Sequence, residues 1–160
     1  MREITTTVYM FDELSEKAKE KAREWYREGA LDREWWSYLY DEAKELGLKI
    51  TESDTSRRYA KGRLTEDAVL VAKKITEEHG SDCETYKTAA NFLHWLGKIN
   101  ENDENYEDKK EILETDFEHD LLEDYASLLQ QEYEWLLSDE QVDESIRVNE
   151  YEFLESGKRI

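Results

Sequence analysis

Proline is absent from these 160 residues, cysteine occurs once and glycine six times. A single cysteine forbids an internal disulfide and any multi-cysteine zinc or iron–sulfur centre, which fits a reducing compartment. The scattered glycines build no phosphate-cradling loop, and G-x-S-x-G and H-E-x-x-H motifs are missing too. No apolar run approaches the ~18 residues of a membrane span, and the opening MREITTTVYMF lacks the apolar stretch of a signal peptide, so the expected compartment is a cytoplasm. Aliphatic side chains are scarce: Leu, Ile, Val and Phe hold 33 positions, near the roughly one-fifth level of disordered chains. Against that stand five Trp and ten Tyr, rings that each bury roughly 150–250 Å² and can complete a modest core. The chain is therefore expected to fold, by its length as one domain.

Without proline, helices can run long. Thr, Val, Tyr and Ile between Glu3 and Met10 predict a strand. Leu14, Ala18, Ala22 and Trp25 recur every three or four residues behind Ser15, a natural N-cap, and predict a helix ending near Gly29. A second helix is expected from Asp32 to Gly47. A hairpin follows, Leu48–Ser53 and Arg57–Leu64, turning at Asp54, Thr55 and Ser56. Thr65 with Glu66 and Asp67 opens a helix that Gly80 stops, and Ser81 with Glu84 reads as a capping box for another, reaching about Ile99. The polar stretch 100–108 is a connection. Beyond it Leu113, Phe117, Leu121, Tyr125 and Leu136 mark one long amphipathic helix to about Leu137. Ser138 with Gln141 then caps a short helical turn before a last strand, Arg147 to Glu155. The sum is α+β: an antiparallel sheet of about four strands packed with five or six helices, in one domain whose near-neutral part covers 1–99, acidic connection 100–108, and acidic helix and final strand 109–160.

The net charge is −19, and it is localised. Residues 1–98 hold 20 acidic and 17 basic side chains, whereas residues 99–160 hold 21 and 5. Glu107, Asp108, Glu111, Glu114, Asp116, Glu118, Asp120, Glu123, Asp124, Glu132, Glu134, Asp139, Glu140, Asp143 and Glu144 face only Lys109 and Lys110 over the same 38 residues, a net −13. At ~1.5 Å rise per residue this is roughly one charge per 4 Å of helix, close to the ~3.4 Å per phosphate of one DNA strand. One reading is a solvated helix face. The other is a set of surrogate phosphates that occupies the basic groove of a nucleic-acid-binding protein, because ordinary exposed helices mix signs in i,i+4 pairs and this one does not. Direct binding to nucleic acid or to anionic membrane is disfavoured by the same charge.

One basic island, Thr55 to Thr65, carries Arg57, Arg58, Lys61 and Arg63 without an acid. Its cations are expected to pair with the protein's own carboxylates, within the monomer or across a homodimer. No cofactor or metal centre is expected. His79 and Cys83 straddle a helix stop, His94 beside Trp95 reads as a partly buried packing residue, and His119 has no second histidine near it. Asp103, Asn105, Glu107 and Glu114 match positions 1, 3, 5 and 12 of a calcium loop, but Asp108 stands where the sharp turn needs glycine. Among the aromatics, Trp35, Trp36 and Tyr38 cannot all face one core, so an exposed ring there is the alternative partner contact. Nothing in the pattern points to an enzyme.

The segments FDELSEKAKEKAREWY (Phe11–Tyr26), EWW (Glu34–Trp36), YAKGRLTEDA (Tyr59–Ala68), HGSDCETYKTA (His79–Ala89) and EYEWLLSDEQVDESIRVNEYEF (Glu132–Phe153) cover much of the chain. Together they resemble a family of small acidic accessory proteins of tailed bacteriophages, some labelled antitoxin-like. The resemblance implies a viral protein acting in a bacterial host cytoplasm, with no catalytic residues to carry over. Joined to the charge pattern, it leads to an expected inhibitor of a nucleic-acid-handling defence complex, a CRISPR effector or a restriction enzyme. The alternative is an antitoxin or adaptor that binds one host or viral protein through its aromatic helices.

Overall fold

Helix starts follow the side chains that can accept the first free N–H groups. Ser15 accepts from the Ala18 amide and opens α1, Glu16–Ala30; Ser138 accepts from the Gln141 amide and opens α6, Asp139–Val148. Asp67 accepts from Val69 and Leu70 and opens α3, Ala68–Glu78, three residues beyond Thr65. Two expected starts fail. Asp32 is drawn back into the turn that closes α1, donating to Gly29, so α2 covers only Ser37–Leu46. Ser81 lies in a turn closed by the Cys83 amide on Gly80, which makes Cys83 the N-cap of α4, Glu84–Lys98, and leaves the Ser81 box unformed. The long helix is present as α5, Tyr106–Leu136.

A computed structural model describes all 160 residues and divides them into two units, Met1–Trp35 with Glu132–Ile160, and Trp36–Gln131. The class is α+β, but the expected sheet of about four strands is replaced by two sheets of two strands each. In the first unit β1, Tyr9–Met10, pairs antiparallel with β4, Glu152–Phe153. In the second, β2, Leu48–Asp54, pairs with β3, Tyr59–Leu64, with Leu48 opposite Leu64 and an irregularity at Thr51. The expected strands at both ends of the chain shrink for the same reason. Ile4 and Val8 are exposed and no neighbouring strand accepts them; β preference is a preference for packing, not an independent backbone choice. Arg147 and Val148 stay helical because the buried pair Val142 and Ile146 carries α6 past them.

Each unit has its own core. Phe11, Leu14, Ala18, Ala22, Val142, Ile146 and Phe153 fill the first, rimmed by Trp25, Tyr26 and Tyr151. Trp25 meets Tyr151 and Phe153 edge-on, so aromatic rings close a core that has few aliphatics. The second core gathers Leu46, Leu48, Ile50, Val71, Ile75, Phe92, Phe117, Leu121 and Tyr125, with Phe92 and Phe117 stacked at 4.6 Å. Gly47 ends α2 at φ +104°, the left-handed cap for which glycine is suited. No helix is long and apolar enough to cross a membrane.

Candidate protein-binding surface

The fifteen acidic positions divide by what they already hold. Four are used in folding. Glu118 accepts the Leu64 amide at 3.1 Å and so fastens β3, while Asp124 accepts the Thr88 hydroxyl at 2.5 Å. Asp143 takes a two-pronged contact from Arg23, at 2.6 and 2.9 Å, and Asp139 pairs with Arg27. The Arg23 guanidinium is held more firmly protonated, chiefly by Asp143. These four are structural ties: loss of Glu118 or Asp124 strips the Leu64 amide or the Thr88 hydroxyl of its acceptor, and loss of Asp143 or Asp139 leaves a partly buried guanidinium without its anion.

In the second unit Glu107, Asp108, Glu111, Glu114 and Asp116 form no ion pair or side-chain hydrogen bond, and all but half-buried Glu114 are exposed. Asp120 and Glu123 approach only His119, at 3.7 and 3.8 Å. Glu107, Glu111 and Glu114 repeat at i, i+4, i+7 along α5, and Asp116, Asp120 and Glu123 repeat likewise, so two acidic stripes flank a ridge of Ile112, Thr115 and His119. Asp108, Glu111, Ile112, Thr115 and Asp116 line a shallow groove of about 450 Å³. In the first unit Glu132, Glu134, Glu140 and Glu144 likewise hold no cation.

The basic hairpin does not neutralise these stripes. Arg57 sits in the turn and reaches Asp54 at 3.8 Å, and Arg58 donates to the Ser127 hydroxyl at 2.6 Å. Lys61 and Arg63 point outward from β3 and form no ion pair with α5. Of the expected pairing of this island with the protein's own carboxylates, Arg57 with Asp54 is the one ion pair formed within the chain, and α5 receives only the hydroxyl contact at Ser127.

Helix formation decides the calcium question. Residues from Tyr106 onward are helical, which sets Glu107 and Glu114 about 10 Å apart along the axis, far beyond shared contact with one ion at ~2.4 Å. Asp103 accepts from Lys109 at 2.6 Å and from the Asn105 amide, which together lower its carboxyl pKa. His119, Asp120 and Glu123 are the three donors close enough for a divalent ion, all exposed. His79 faces Thr85 Oγ1 at 2.6 Å and Glu42 at 3.2 Å, away from the pairing with Cys83 that spacing raised. Tyr125 donates to the same Glu42 and is raised in pKa, mainly by burial. Thr85 is only 3% exposed, whereas Glu42 lies at the open edge of the set, which ties four segments of the second unit together. His94 is exposed rather than partly buried, its ring edge-on to Trp95.

Asp124 also makes the acidity measurable. Burial raises its carboxyl pKa, the Thr88 hydrogen bond opposes that, and Glu84, Asp120 and Glu123 add to it. A folded-state pKa above the unfolded one means that the folded chain holds this proton more tightly. Stability is then lost as pH climbs from the ordinary carboxylate range through the raised value, and the loss persists at neutrality. Asp124→Asn keeps an acceptor for Thr88 and is expected to stabilise the protein at about pH 7 on the order of 0.5 kcal/mol, the scale of surface-charge optimisation. Thermal melts at about pH 7 and about pH 3 check this: the advantage should shrink in acid, where both side chains are neutral.

Of the aromatic alternatives, Trp35 packs on Tyr133 at 5.8 Å, Trp36 is half-buried, and Tyr38 is 51% exposed on α2. Sequence reasoning passed over Trp135, at the end of α5, which is 52% exposed; a tryptophan in an otherwise charged stretch, EYEWLLSDE, was the available signal. No protein-family model matches the chain, and no curated protein or solved structure is detectably similar to it.

Proposed function

We propose that this chain is a bacteriophage accessory protein that inhibits a nucleic-acid-handling defence complex of the bacterial host, a CRISPR effector or a restriction enzyme. It would do so by laying the acidic stripes of α5 in a basic groove meant for phosphates. The observation that carries this reading is the run from Glu107 to Glu123, in which uncommitted carboxylates recur while nearby cations turn elsewhere. Isolated, these groups repel one another, and a basic surface would remove that cost and release counterions from the groove.

The test is a DNA-cleavage assay with a purified effector or restriction enzyme. Inhibition is expected to be competitive with DNA and to weaken at least ~10-fold between ~50 and ~200 mM salt, as for a protein meeting several phosphates. Non-competitive or salt-indifferent inhibition would count against surrogate phosphates and for the adaptor reading, which Tyr38, exposed on α2, supports.

A further inference from the structure

On the first unit, Trp135, Glu140, Gln141, Asp143, Glu144 and Arg147 line a groove of about 580 Å³. Two of its charges are already committed, Asp143 to Arg23 at 2.6 Å and Arg147 to Asp12 at 2.9 Å. Gln141 donates to Ser145. What is left uncommitted is one aromatic face and two carboxylates. Glu140 and Glu144 lie at i and i+4 on α6, both exposed and without a cation, a like-charge spacing that destabilises a helix on its own. The Trp135 indole N–H donates to no group within the protein, and the ring is 52% exposed.

We infer that this groove receives an arginine side chain of a partner protein, its guanidinium stacked on Trp135 and shared between Glu140 and Glu144. The inference rests on the reading that the chain meets a basic protein surface, and it names the anchor residue of that contact. Arginine is chosen over lysine because two kinds of surface meet here. A planar, weakly hydrated guanidinium stacks on an indole face and still presents N–H groups in its own plane to carboxylates, whereas an ammonium is a compact, strongly hydrated point charge. Buried tryptophan and arginine contacts also dominate the energetics of protein interfaces, while rim charges add little. The carboxylates of α5 would thus guide approach and register, and the Trp135 groove would hold one side chain in place.

The experiment uses the intact chain, labelled with 15N in its tryptophan indoles, and three capped tripeptides, Gly-Arg-Gly, Gly-Lys-Gly and Gly-citrulline-Gly. Trp135→Phe identifies the Trp135 signal by its disappearance. That signal alone is expected to move, saturating at millimolar arginine peptide, the affinity suited to one side chain at ~4 kcal/mol. Citrulline, of the same shape without charge, should leave it still, and lysine should bind at least ~3-fold more weakly. A Glu140→Gln, Glu144→Gln double variant, both positions exposed, should weaken the arginine peptide at least ~5-fold. Equal response to arginine and lysine, a response to citrulline, or uniform movement of all five indoles would overturn the assignment. Because no defence complex is present, a failure here leaves the cleavage-assay result intact, and a bound arginine peptide beside a failed cleavage assay would leave the groove in place and remove only its supposed target.

Discussion

Glu107→Lys, Glu111→Lys, Asp116→Lys, Asp120→Lys and Glu123→Lys in one variant are expected to abolish inhibition while the fold survives. All five are exposed and none holds a cation on another element. Each reversal removes an attraction to a basic groove and substitutes a repulsion. At the ~0.2–1 kcal/mol typical of exposed pairs, counted once for the lost attraction and once for the new repulsion, five reversals amount to roughly 2–10 kcal/mol, or at least ~30-fold in the inhibitory concentration. Net charge moves from −19 to −9, so crowding of like charges on α5 falls and the melting temperature should not drop. The choice of residues matters. Reversing Glu118 or Asp124 instead would cut the Leu64 and Thr88 hydrogen bonds and confuse binding with unfolding. Full inhibition by the five-site variant, with unchanged circular dichroism, would refute the charge mechanism outright.

Gly157→Ala is expected to be the most damaging single small substitution in the first unit. Gly157 sits at φ +89°, and an added Cβ would lie 2.1 Å from the carbonyl oxygen of Ala18. That oxygen belongs to the backbone of α1 and Ala18 is buried, so neither side has a flexible end that could give way. The left-handed backbone alone costs about 1–2 kcal/mol for an L side chain, and displacing the tail adds to it, for a total on the order of 3 kcal/mol and a melting-point loss of roughly 8 °C. Gly29→Ala is the matched control. It lies in α1 with open space where the Cβ would go, and should raise stability by about 0.5–1 kcal/mol. Similar melting points for the two variants would show that the Leu154–Ile160 tail does not press on α1 in solution.

The two variants mark the difference between what a pattern can reveal and what it hides. The acidic run was legible because charge is a property of residue type, and its helical periodicity needs only local spacing. The division of that run into committed and uncommitted groups was not legible. Nothing in the spacing of Glu118 or Asp124 sets them apart from Asp116 or Asp120; what differs is that β3 brings the Leu64 amide, and α4 the Thr88 hydroxyl, within reach. Asp143 similarly belongs to Arg23, 120 positions away in sequence. Gly157 looked like any tail glycine, since the atom it avoids belongs to residue 18.

By itself, the sequence determined the mixed class, the places of the main helices, the Ser15 and Ser138 caps, the hairpin and the concentration of negative charge after residue 98, because each depends on neighbours within a few positions. Only the tertiary structure decided that strand-forming residues at the two ends make a two-residue ladder, that Glu118 is held by the Leu64 amide, and that Asp143 belongs to Arg23. Those outcomes turn on distant partners, and a backbone or side chain commits to whichever distant group satisfies its hydrogen bonds or covers its apolar surface.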